Sequence, residues 1–131
     1  MANNSNEMMQ IQSLIREDES LSIRIATANV PDLRDSDVLV RIEAAPINPS
    51  DLGVLFGPAD MEAASYSEDA GSPVVNAPIA SHLMPSVEGR IGQSMPVGNE
   101  GAGVVVAAGD SEEAQKLLGL SLIHISEPTR R

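Results

Sequence analysis

Between Asp37 and Gly57 the chain changes its period within a few residues, and that change limits what can be built around it. Val38, Val40, Ile42 and Ala44 alternate with Leu39, Arg41, Glu43 and Ala45, a period of two that sends successive side chains to opposite faces of a β-strand. Pro46 ends the ladder because it has no N–H to donate. Asn48 then suits a helix N-cap, Pro49 the first helical position, where a missing N–H costs nothing, and Gly57 the exit. Asn48, Ser50 and Asp51 therefore occupy a strand-to-helix corner, where polar groups can face a cleft.

Elsewhere the pattern favours strands. Met9, Ile11 and Ile15, then Leu21, Ile23 and Ile25, flank the charged run Arg16 to Ser20, which predicts a hairpin. Val30-Pro31-Asp32 marks a loop. From Pro58 to Pro96 the prolines, the small residues and the lack of a sustained apolar period predict a long connecting span, with a short acidic helix within 59–70 and a brief strand at 74–77. Val104 to Val106 reads as a buried strand, and Gly98, Gly101 and Gly103 before it allow tight turns or the close approach of another segment. Asp110 or Ser111 caps a helix that presents Ala114, Leu117 and Leu118 on one face and stops at Gly119. Residues 1–8 are polar and expected to fray. The fold class expected is mainly β with short helices.

A chain of 131 residues suits one domain, and with aromatics at 2% its core must come from Val, Ile, Leu, Ala and Met. Eight Lys and Arg against 19 Asp and Glu leave a formal charge of -11, which repels phosphate backbones and anionic lipid, so neither nucleic acid nor a membrane is expected as a partner. The absence of Cys rules out disulfides and thiolate metal sites, and the His residues lack co-ligands. No apolar run reaches membrane-spanning length and the first residues carry no signal pattern, so a cytoplasmic location is expected.

The corner sequence Ala-Ala-Pro-Ile-Asn-Pro-Ser-Asp-Leu at 44–52, followed by Pro-Val-Gly-Asn-Glu-Gly-Ala-Gly-Val-Val-Val-Ala-Ala-Gly at 96–109, resembles the N-terminal catalytic domain of the medium-chain dehydrogenase/reductase superfamily, and within it the zinc-free, quinone-oxidoreductase-like members. The resemblance spans 9–119 with a gap across the middle. It implies a GroES-like, partly open β-barrel, incomplete here, in which residues 57–96 are an insertion beside the cleft. It implies hydride transfer from NADPH or NADH to a quinone or an α,β-unsaturated carbonyl, a small-molecule acceptor as partner, and a parent able to form homo-oligomers.

In the zinc-dependent relatives a His precedes Glu100 and a Cys lies near Asp51; here Asn99 stands in the first position and no Cys in the second, and a carboxamide is a poor zinc ligand. No zinc is therefore expected. By the resemblance, Asn48, Asp51, Asn99 and Glu100 line the cleft where nicotinamide and acceptor meet, with the Asn48 amide N–H placed to hold a carbonyl as negative charge develops on it. The plainer reading makes Asn48 a helix cap, Asp51 a loop anchor and Glu100 a hydrogen-bond partner of a neighbouring loop. The 2-enoyl thioester reductases of the same superfamily share both motifs but place a proton-donating Tyr soon after the glycine matching Gly57; here Pro58-Ala59-Asp60 follows and Tyr66 lies further on.

Two other patterns fail. A GxGxxG match starting at Gly101 meets Val106 where Gly is required, and the segment enters a strand, so no helix N-terminus waits for a pyrophosphate. Ser81-His82 has no nucleophile elbow and reads as surface.

Leu-Ser-Leu-Ile-His-Ile-Ser-Glu-Pro-Thr-Arg at 120–130 resembles the in-frame translation of a transposon-type sequencing adaptor, so residues 120–131, His124 included, are set aside from fold and site. On that reading the family's Rossmann domain, which binds the cofactor, is absent, and the chain alone is inactive. The rival expectation is a non-catalytic, truncated β domain with open sheet edges.

Overall fold

The computed structural model describes residues 7–125. In chain order its elements are β1 (Glu7–Arg16), β2 (Ser20–Asn29), β3 (Val38–Ala44), α1 (Pro49–Leu55), β4 (Ser65–Asp69), β5 (Ser72–Pro78), β6 (Ser94–Pro96), β7 (Glu100–Ala108), α2 (Glu112–Gln115) and β8 (Ser121–Ile125), with 3-10 helices at Met61–Ala63 and Ser81–Arg90. The fold is mainly β. The chain forms two compact units, one from residues 7–30 and 48–97, the other from 31–47 and 98–125. The first holds the larger sheet, in the order β4-β5-β2-β1-β6, and the second the smaller, β3-β7-β8. All strand pairs are antiparallel, and neither sheet closes into a barrel among the described residues.

The hairpin expected from period-two alternation is the centre of the first unit. β1 and β2 pair from Glu7↔Asn29 to Arg16↔Ser20, which puts Ile15 opposite Leu21 and Ile11 opposite Ile25. Only the turn end is covered: Ile15 and Leu21 are fully buried, whereas Met9 is 79% exposed. Burying a residue of this size contributes about 1.5–3 kcal/mol.

Residues 57–96 depart from the expected connecting span. They contain β4, β5, β6 and both 3-10 helices, and they extend the hairpin on both sides, β5 pairing with β2 and β6 with β1. Ala70 (φ +49°) and Gly71 (φ +82°) turn β4 into β5, the left-handed pair that a tight hairpin turn requires. The acidic helix expected within 59–70 is only the 3-10 turn Met61–Ala63, capped by the Asp60 carboxylate, which accepts the Glu62 N–H at 3.1 Å; β4 follows it. The strand expected at 74–77 is the middle of β5. Ile79 and Val87 from this segment join Ile15 and Leu21 in the core, and Ala59, Met61, Leu83, Met84 and Ile91 pack around them. A segment with so much of the core is part of the unit's frame, not an appendage.

In the second unit β3 pairs with β7 through Val38↔Ala108, Val40↔Val105 and Ile42↔Gly103. The buried strand expected at Val104–Val106 is half-buried, with Val105 at 2% and Val106 at 43% exposure, because alternate residues of an antiparallel strand face opposite ways. Ser111, not Asp110, caps α2, its hydroxyl accepting the Ala114 N–H at 3.1 Å. Gly109 lies against the 34–37 turn, donating its N–H to the Asp37 carbonyl at 2.8 Å. In that turn the Arg34 guanidinium hydrogen-bonds the Asp37 carboxylate at 2.9 Å and holds it below the ordinary aspartate range. The tail set aside on sequence grounds is represented by β8, paired to β7; residues 126–131, like 1–6, lie outside the described residues. Glu7 and Met8, placed in the fraying terminus by sequence, belong to β1.

Candidate functional site

The corner at 44–52 forms as its residue types require. β3 ends at Ala44, Asn48 is the N-cap in extended conformation (φ −97°, ψ 154°), and Pro49 opens α1. The Asp51 carboxylate turns back and accepts the Asn48 N–H at 2.9 Å, while the Asp51 N–H donates to the Asn48 carbonyl at 2.9 Å. This is the reciprocal start of a capping box, which satisfies donors that a helix N-terminus leaves open. Asp51 is 4% exposed, so its carboxylate is committed to the loop. Asn48 is half-buried and Ser50 exposed.

The other end of α1 is held by a residue the sequence reading did not single out. Arg90 donates from Nη2 to the Val54 carbonyl and to Ser13 Oγ, each at 2.9 Å, and from Nη1 to the Gly53 carbonyl at 3.4 Å. Ser13 Oγ donates to the same Val54 carbonyl at 2.6 Å. Carbonyls at a helix C-terminus lack intrahelical donors and carry partial negative charge, so a guanidinium there satisfies them and complements the dipole. Two sequence signals pointed this way: Arg90 is the sole cation between Arg41 and Lys116, and Ser13 interrupts the apolar face of Met9, Ile11 and Ile15. A fully buried hydroxyl on such a face needs a partner.

Asn99 and Glu100 sit together at the start of β7, Asn99 exposed and Glu100 half-buried opposite Ile125 of β8. Gly98 precedes them with φ +103°, the left-handed region a side chain rarely adopts. Asn48 and Asp51 thus belong to the first unit, Asn99 and Glu100 to the second. The three glycines grouped in the sequence also differ. A Cβ on Gly98 meets open space, one on Gly101 meets the side-chain end of Ile42 at 3.1 Å, and one on Gly103 lies 2.0 Å from the Arg41 carbonyl oxygen.

Tyr66 is 83% exposed on β4, opposite Val75. Ser81 donates its hydroxyl to Glu19 at 2.7 Å, and His82 beside it is exposed. Among the described residues no group of three or more His, Cys, Asp or Glu is placed to hold a metal. Among the same residues α1 runs for 7 residues and α2 for 4, and the strands of both sheets pair antiparallel. No family model matches the chain, and no curated protein matches it in sequence.

Proposed function

We propose that the chain is the N-terminal part of the catalytic domain of a zinc-independent, NAD(P)H-dependent reductase that passes hydride to a quinone or an α,β-unsaturated carbonyl. The observation that carries this reading is the corner from Ala44 to Leu52, where a strand stops at a proline and a capping box fixes Asn48 at the mouth of α1. It is supported by the second motif, Gly98-Asn99-Glu100, at the head of β7.

Hydride delivery to a conjugated acceptor needs alignment of donor and acceptor and a hydrogen bond to the carbonyl, with no demand for a Lewis acid. In this reading the Asn48 carboxamide supplies that hydrogen bond and Asp51 positions it. In this reading the cofactor is held by a part of the parent protein outside the described residues, and this chain alone is inactive. No helix among the described residues is long and apolar enough to cross a membrane, and we place the parent in the cytoplasm, working on a small-molecule acceptor as a homo-oligomer.

The gene itself tests this. Genomic sequence read past the Gly119 codon is expected to leave the 120–131 sequence and to open, after further strands, a Gly-rich strand-turn-helix unit. A long continuing frame without such a unit contradicts the proposal.

A further inference from the structure

Packing alone does not fix α1 in place. Its fully buried residue is Asp51, a carboxylate; Leu52 is 41% exposed, and Val54 and Leu55 are half-buried. Seven residues with Gly53 among them make a weak helix, since isolated helices shorter than roughly 12–15 residues are marginal in water. What α1 has instead is a polar anchor from residues distant in the chain. The Arg90 guanidinium reaches the Val54 and Gly53 carbonyls and Ser13 Oγ, and Ser13 closes the set by donating to Val54. Among the described residues no carboxylate pairs with Arg90, and its Nε is buried without an acceptor. An unmet buried donor costs stability, so stability by itself does not account for a guanidinium here.

The anchor stands on a rigid base. Val87, three residues before Arg90, belongs to the core, and two residues after Arg90 the Gly92 N–H donates to the Ile15 carbonyl at 2.9 Å. Ser13 is fully buried on β1, two residues before the core residue Ile15. One end of α1 is thus tied to the core, and the other end carries Asn48 as its N-cap. We propose that Arg90 is the positioning residue of this corner: its planar fork fixes the direction of α1, and so the place of the Asn48 carboxamide. On the reductase reading, which this assignment takes as its premise, that carboxamide meets the acceptor carbonyl. At about 1.5 Å per residue α1 is about 10 Å long, so a tilt of about 10° at the Arg90 end moves the cap by about 2 Å. A displacement of about 1 Å is enough to spoil the alignment of donor and acceptor. Lys at position 90 keeps the charge but loses the span, because an ammonium is a point charge and a guanidinium holds several donors in one plane.

Nuclear magnetic resonance of the full isotope-labelled chain tests it. In Arg90→Lys the Asn48 side-chain amide signals are expected to move. The Phe56 and Gly57 amides, which donate to the Leu52 and Gly53 carbonyls, should exchange about tenfold faster or more. The β1 and β2 amides should keep parent-like protection. Ser13→Ala, which removes one donor to Val54 and leaves Arg90, should shift the same signals less. A residue that only stabilises the unit would lower protection evenly across it and leave Asn48 alone; that result, or Asn48 signals unmoved in Arg90→Lys, would overturn the assignment. A water-soluble quinone tests the premise separately. It is expected to shift the Asn48 carboxamide signals of the parent, and those of Arg90→Lys only at about tenfold higher concentration. An equal response in both chains counts against the positioning role. A quinone that leaves the parent signals in place removes the reductase reading, while the comparison of the two chains without quinone still decides whether Arg90 positions Asn48.

Discussion

Gly103→Ala is expected to cost about 3 kcal/mol or more and to break up the smaller sheet, because the added methyl has nowhere to go. A Cβ on Gly103 lies 2.0 Å from the Arg41 carbonyl oxygen, 2.8 Å from the Arg41 carbonyl carbon and 2.9 Å from the Ile42 Cα. All three are backbone atoms of β3, so no rotamer change relieves the overlap; either β3 leaves β7 or β7 kinks. The unit has little reserve, since Val105 and Ala114 are its buried apolar side chains among the described residues. With whole domains stable by only about 5–15 kcal/mol, a loss of this size is a large fraction. Hydrogen exchange is the measurement, with β3 and β7 amides expected to lose protection. Gly101→Ala is the control, because its Cβ meets Ile42 side-chain carbons at 3.1 and 3.4 Å and approaches backbone no closer than the Ala44 carbonyl oxygen at 3.7 Å. Parent-like protection in Gly103→Ala would count against the register between β3 and β7.

Asp51→Ala is expected to destabilise the first turn of α1 by about 1–2 kcal/mol, the usual range for losing a helix cap and leaving a donor unmet. The carboxylate accepts the Asn48 N–H at 2.9 Å from a position 4% exposed, so water cannot readily replace it. Asp51→Asn keeps an acceptor oxygen and should lose less. The effect should stay local, since Arg90 still holds the Gly53 and Val54 carbonyls at the far end. Denaturation midpoints give the size, and exchange at the Asn48 and α1 amides gives the place. An Asp51→Ala chain with parent-like exchange at Asn48 would remove the anchoring role.

These two sites also mark what the sequence could and could not convey. The hairpin β1–β2, strand β3 and the capped start of α1 were legible because each follows from neighbours in the chain: alternation, a proline stop, and Asn48 and Asp51 at cap spacing. Strand β4 was not, since Ser65 to Asp69 are all exposed and carry no apolar alternation to read. β5 was visible only in part because Pro73 and Pro78 lie near its ends, where a missing N–H is tolerated. The Arg90, Ser13 and Val54 cluster joins residues 36 or more positions apart, which no local pattern reports. The crowding at Gly103 is likewise a cross-strand fact. Sequence grouped it with Gly98 and Gly101, and only the partner strand tells them apart.

On the proposed reading, this chain holds the substrate side of a reductase and leaves the nicotinamide cofactor to a domain outside it. Titration of NADPH and of NADH into the purified chain, followed by cofactor fluorescence and by calorimetry, tests it most directly. The account expects no saturable binding of either nucleotide at micromolar concentration and no reduction of a quinone supplied with them. Saturable micromolar binding by these 131 residues would contradict it.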